Sequence, residues 1–154
     1  MLQLHLASQQ VPSQVVSMRK KACTGLVHIA HNSPQLILAH LEQLVAEVMR
    51  LNSGGFVSAM ERMLLCEALV EASNAMPQFA ERQRFLGFLV RADVDQWCSP
   101  ATAQPLQGPA TFLELAGVLP STNDTSQQRS QFLEILRSCN GIFKRAAWLP
   151  SDVV

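Results

Sequence analysis

Tyrosine is missing from this 154-residue chain, and aromatic residues make up only 6% of it. The Val, Ile and Phe residues that remain do not fall into alternating runs, which argues against sheet, while Leu, Ala, Met, Gln and Glu favour helix. Net charge is also lacking: 12 Lys and Arg balance 12 Asp and Glu, and the isoelectric point is near 6.9. A global pull towards polyanions or acidic membranes is thereby excluded, so any nucleic-acid contact has to be local. There is no CxxC pair. The four cysteines, Cys23, Cys66, Cys98 and Cys139, stand 43, 32 and 41 residues apart, unlike the dense framework of small secreted domains, and read as reduced thiols. No run reaches the roughly 18 apolar residues of a bilayer span. The opening "MLQLHLASQQVPSQ" has neither a cationic leader nor a clean apolar stretch. These absences together predict a soluble intracellular helical protein, with residues 1–13 as a poorly ordered tail.

What is present is helical periodicity. Val15, Met18, Ala22, Leu26 and Ile29 recur at steps of three and four, predicting one buried stripe with Lys20, Thr24, His28 and His31 turned away from it. Asn32-Ser33-Pro34 breaks that helix and starts a second, through Leu41, Leu44, Val48 and Met49 to Leu51. After the turn "NSGG", Ser58 and Glu61 form a capping box for a third helix. A fourth runs from about Pro77 to Trp97 and stops at Ser99-Pro100. The proline-rich stretch 99–109 is a loop, a short helix follows at about 110–118, and the last helix spans about Ser126 to Trp148, closed by Pro150. On that helix Phe132, Ile135, Leu136, Cys139, Ile142, Phe143 and Ala146 are the expected buried side.

The helices repeat in pairs. "NSPQL" at 32–36 returns as "AMPQF" at 75–79, placing Pro34 and Pro77 43 residues apart. That period lies within the roughly 40 to 47 residues of HEAT and armadillo units. The expected fold is therefore all-α, an α-solenoid of HEAT-like antiparallel helix hairpins in a right-handed superhelix, with hairpins at about 14–51 and 58–98 inside a repeat segment of 14–150. Pro120 lies another 43 residues on, but its surroundings do not repeat. Units of this kind bury their apolar faces only against neighbours, which predicts a piece of a longer array whose bare ends favour self-association.

The segments "MRKKACTGLVHIAHNSPQLILAHLEQL", "MERMLLCEALVEASNAMPQFAERQRFLGFL" and "GIFKRAAWLP" resemble, in order, the middle of a nuclear export receptor of the importin-β (karyopherin) family. The resemblance runs from Arg19 to Pro150 and leaves out the first eighteen residues. It implies a receptor that shuttles between nucleus and cytoplasm. With Ran-GTP it would carry double-stranded or hairpin RNA of the microRNA-precursor type, with protein cargo a further possibility. A chain of two to three hairpins that stood alone would be too short to encircle such cargo. The other reading of the same residues is a helical-repeat scaffold that binds a protein partner and no RNA, which the neutral charge balance favours.

Within this frame Arg84, Phe88 and Arg91 share one face of the fourth helix, two guanidiniums around an aromatic, suited to phosphates and a base or sugar. Their plainer reading is an Arg91 to Asp95 ion pair with Phe88 packed on the next repeat. Arg137, Lys144 and Arg145 on the last helix are candidates for phosphate or for the acidic surface of Ran, although cations also belong at a helix C-terminus. Arg19, Lys20 and Lys21 read as a solvated face. His28 and His31 are three apart but lack further ligands, so no metal and no cofactor is expected. Glu61, Glu67 and Glu71 read as surface charges, and Met60, Met63 and Met76 as core filling. No GxSxG, HExxH or phosphate loop points to catalysis, and the chain is not expected to be an enzyme.

Overall fold

A computed structural model of the chain describes residues 12–120 and 125–147. In order, the helices are α1 (Ser13–Asn32), α2 (Pro34–Leu38), α3 (Leu41–Ser53), α4 (Ala59–Ser73), α5 (Phe79–Trp97), α6 (Pro100–Ala103), a 3₁₀ turn (Gln104–Leu106), α7 (Pro109–Ala116) and α8 (Ser126–Arg145). No strand occurs among the described residues. Trp148 and Pro150, at the expected end of the last helix, lie outside them.

The starts and stops follow local chemistry. Ser58 Oγ accepts from the Glu61 N–H at 3.3 Å and the Glu61 carboxylate accepts from the Ser58 N–H at 2.7 Å, the reciprocal bonds of a capping box. Pro34, Pro100 and Pro109 each open a helix, where a missing N–H costs nothing. Gly117 ends α7 at φ 77°, and Arg129 of α8 lays its guanidinium over it, donating from Nε to the Leu115 carbonyl at 2.8 Å. The helix expected from Pro34 to Leu51 is interrupted: the His40 N–H bonds to Ile37 O, tightening the turn between α2 and α3. The two pieces then meet α4 separately.

All of this is built around α4. Its sequence, AMERMLLCEALVEAS, is apolar on nearly every side, and Leu65, Ala68, Leu69, Val70 and Ala72 are buried. A helix with that pattern has to be surrounded. α1 and α8 flank it, α3 and α5 pack on it as well, and α8 also lies along α5. Leu69, Val70, Val48, Leu41, Leu89 and Ile142 form the main core, and Val27, Ala30 and Ala68 a smaller one between α1 and α4. Trp97 and Phe132, stacked at 5.2 Å, join α5 to α8.

Two expected faces are rotated. On α1 the buried side is Cys23, Leu26, Val27 and Ala30, whereas Met18 is 70% and Ile29 52% exposed. That is a turn of about one residue, or 100°. The cause is steric: Ala30 and Val27 let α1 approach Ala68 closely, and the bulky residues of the other stripe do not. On α8, Ser138 and Gly141 are buried beside Ile135 and Ile142, while Leu136 and Phe143 are exposed. Here too the small residues mark the close approach, since a Cβ at Gly141 would stand 2.9 Å from Glu67 Oε1.

If α4 is the centre of the fold, Leu69→Ala should cost about 2–5 kcal/mol in urea unfolding. The same change at Leu36, 65% exposed, should stay within about 0.5 kcal/mol. Equal effects at the two positions would remove α4 from that role.

Candidate interaction surfaces

The acids of α4 are inside the protein. Glu61, Glu67 and Glu71 are only 4%, 8% and 7% exposed, which corrects their reading as surface charges. Each faces a neighbouring helix with a donor. Arg19 of α1 meets Glu61 through both of its arms, Nε to Oε1 and an Nη to Oε2, each at 2.9 Å, and a terminal nitrogen also reaches the Phe56 carbonyl. Glu71 takes His31 Nδ1 from α1 at 3.1 Å and an Arg145 nitrogen from α8 at 3.2 Å, and Arg145 Nε meets Glu67 at 3.0 Å. Buried carboxylates require such partners, because an unpaired charge is expelled from a low-dielectric interior.

Asp93 of α5 is a fourth buried acid. It accepts from Ser138 Oγ at 2.5 Å and sits 3.4 Å from an Arg62 nitrogen. Asn74 completes the seam by bonding the Arg145 carbonyl at 2.8 Å and the Ala147 N–H at 3.0 Å, which secures the C-terminal end of α8. None of these roles was visible from spacing, because a partner across helices leaves no local pattern. The one local signal was the Ser58 and Glu61 box.

The expected contact residues divide. Arg145 is turned inward on Glu67 and Glu71, whereas Arg137 and Lys144 are exposed on α8. Arg84 is exposed on α5. Phe88, 47% exposed, and Arg91 lie in a cleft of about 360 Å³, and Arg84 is not among the residues lining it. The cleft has α3 and α5 as walls, with Met49 and Asn52 facing from α3, and α4 as floor, through Arg62 and Cys66. Asp95 also lines it, and no Arg91 to Asp95 bond forms among the described residues.

The buried thiols are held protonated. Burial pushes the Cys66 thiol up to about 11, aided by the Asp93 charge and opposed by Arg62. Burial likewise raises Cys23 and Cys139. Such thiols stay protonated and are poor nucleophiles and poor metal ligands. Among the described residues no three His, Cys, Asp or Glu groups are placed to hold a metal ion, and no helix is long and apolar enough to cross a membrane.

Helices stacked side by side, with α1 and α8 running parallel to α4 and α5 antiparallel to it, and with their buried acids neutralised by neighbours, form an all-α helical-repeat fold of the α-solenoid kind. Residues 2–147 match the sequence profile of the Exportin-5 family, and the chain belongs to that family. It is 26% identical over 146 residues to Exportin-5 of Mus musculus and of Homo sapiens, in each case 90% of this chain and 12% of the relative. With Exportin-5 of Dictyostelium discoideum it is 22% identical over 144 residues, 91% of this chain and 13% of that protein. The chain therefore spans about an eighth of the length of these relatives. The match begins at residue 2, so residues 2–18, which the resemblance left out, are part of it.

Glu61 and the thiols give two expected outcomes. Burial by itself would raise the Glu61 carboxyl, but bonds from Ser58 and Arg19 outweigh it and hold the group below the ordinary 4.5. A depressed carboxyl stabilises the fold above its unfolded value and loses that contribution as pH falls through the folded one. Acid unfolding below pH 4.5 should thus be shallower in Glu61→Gln, with lower stability at pH 7; parallel acid limbs would dismiss the pairing. In native protein, iodoacetamide should label exposed Cys98 well before Cys66. Peptide mapping with Cys66 labelled first would contradict its burial.

Proposed function

We propose that this chain serves as part of a nuclear export receptor that shuttles between nucleus and cytoplasm, carries double-stranded or hairpin RNA, and does so together with Ran-GTP. The observation that supports this is the family match along residues 2–147, on a fold with scaffold chemistry. The role is transport rather than catalysis. For the RNA backbone the cations that suit best are Arg84 of α5 and Arg137 and Lys144 of α8, all exposed and without a hydrogen-bond or ion-pair partner among the described residues. Arg145 serves the interior, where its two carboxylates already neutralise it.

The second reading, a scaffold for a protein partner, is favoured by one observation: the α3–α5 cleft contains Asp93 and Asp95 and apolar side chains beside its arginines. A polyanion is poorly served there. The two readings are compatible if RNA follows the exposed cations and the cleft takes something else.

The test is fluorescence anisotropy of a hairpin RNA with a two-nucleotide overhang, titrated with the receptor carrying this segment in the presence of Ran-GTP. Arg84→Ala/Arg137→Ala should weaken binding and lower the slope of log affinity against log salt by about one for each lost phosphate contact. An unchanged affinity and slope would remove these residues from the RNA path.

A further inference from the structure

Between residues 100 and 120 the chain makes an excursion that is tied to the rest of the fold at few points. α6, the 3₁₀ turn and α7 pack on one another, and they meet the body of the protein at the end of α5 and along α8. Leu115, 4% exposed, is the one buried residue of this stretch, whereas the shorter α4 buries nine. Its polar contacts are largely its own: Thr111 Oγ1 lies 2.9 Å from the carbonyls of both Pro105 and Gly108. Helices of four and eight residues do not persist unsupported in water, so the stretch depends on what holds it down. Two side chains do so. Leu115 faces Phe132 of α8, which in turn stacks on Trp97 at 5.2 Å. Arg129 of α8 donates from Nε to the Leu115 carbonyl at 2.8 Å and lies so close over Gly117 that a Cβ there would stand 2.8 Å from its guanidinium. The ends of the stretch are suited to pivoting, with Ser99 extended before Pro100 and Gly117 left-handed at φ 77°.

We propose that residues 100–117 are a strap that opens as a unit while the body built around α4 stays folded, that Arg129 is its latch, and that opening bares the Phe132 and Trp97 rings. Both rings are only partly exposed while the strap is down. Sub-global opening is the behaviour of a segment with few buried apolar contacts and mainly local hydrogen bonds. The body does not need the strap, because neither apolar core contains a residue from 100–117. The closed and open forms thus present different aromatic surfaces at the α5–α8 junction.

Hydrogen–deuterium exchange of the whole chain, followed by peptide mass spectrometry over a series of low urea concentrations, separates local from global opening. In wild type the amides of residues 112–116 should exchange about a hundredfold faster than those of buried α4, with little dependence on urea. Arg129→Ala should speed the strap amides about tenfold further, as expected for one lost charged hydrogen bond, and leave α4 unchanged. Gly117→Ala should act in the same direction, since its Cβ displaces the guanidinium. In a Trp148→Phe background, where Trp97 alone reports, Leu115→Ala should raise the acrylamide quenching constant while α4 keeps its protection. Strap amides that share the exchange rate and urea dependence of α4, or an Arg129→Ala effect spread equally over α4, would overturn the strap. Unchanged strap exchange in Arg129→Ala would deny that residue the latch, and unchanged quenching in Leu115→Ala would overturn the baring of the aromatic pair.

Discussion

The rest of the structure depends on the enclosure of α4 with its carboxylates still attached. An entirely apolar helix could be buried by any neighbour at any rotation, and a core so specified is loose in register. Glu61, Glu67 and Glu71 remove that freedom, because each is tolerable inside only where a particular donor reaches it. Arg19 and His31 fix the height of α1, since 12 residues of α1 separate them and 10 residues of α4 separate their partners. Arg145 spans Glu67 and Glu71, one helical turn apart, and so sets α8. The apolar contacts provide the driving force and the ion pairs select one arrangement among those it would allow.

That division of labour explains what could be read in advance. Helix class, the Ser58 box and the start at Pro34 were legible because they are local, and the Pro34 and Pro77 recurrence exposed the repeat for the same reason. By contrast the stretch 99–109, expected to be a loop, holds α6 and a 3₁₀ turn, and the helix expected from Pro77 begins at Phe79. The phase of α1 was not legible: it has apolar residues on more than one side, and the choice between them rests on the size of Ala30 and Ala68, thirty-eight residues apart. Likewise Ser138 and Gly141, which look like weak spots in α8, are the positions where it touches α4. Small residues carry no hydrophobic signal, yet they decide which face can come close.

The contact residues show the same limit more sharply. Arg84, Phe88 and Arg91 follow one another on one helical face, and spacing alone treats them as a unit. The structure separates them because α3 stands alongside the second half of that face and turns Phe88 and Arg91 into the wall of a cleft. Arg145 and Lys144 are neighbours in sequence with different fates, one neutralised inside and one exposed. A cation is available to a ligand only after the interior has been satisfied, and in this chain much of the positive charge is already committed.

Neutrality therefore has a structural origin. Several of the twelve acids lie buried on α4 and α5, and the arginines that answer them reach inward from α1, α4 and α8. What remains outside without an acidic partner among the described residues is a scattered set of cations, Lys20 and Lys21 on α1, Arg84 and Arg91 on α5, and Arg137 and Lys144 on α8. Exposed apolar side chains are as prominent on that outside as charge: Met18 and Ile29 on α1, Phe143 on α8, and Met49 and Phe88 at the cleft. On a helical-repeat scaffold such surfaces recognise other protein helices, whether of the same array or of a partner. In this segment, exposed apolar surface is consequently at least as prominent as uncommitted positive charge.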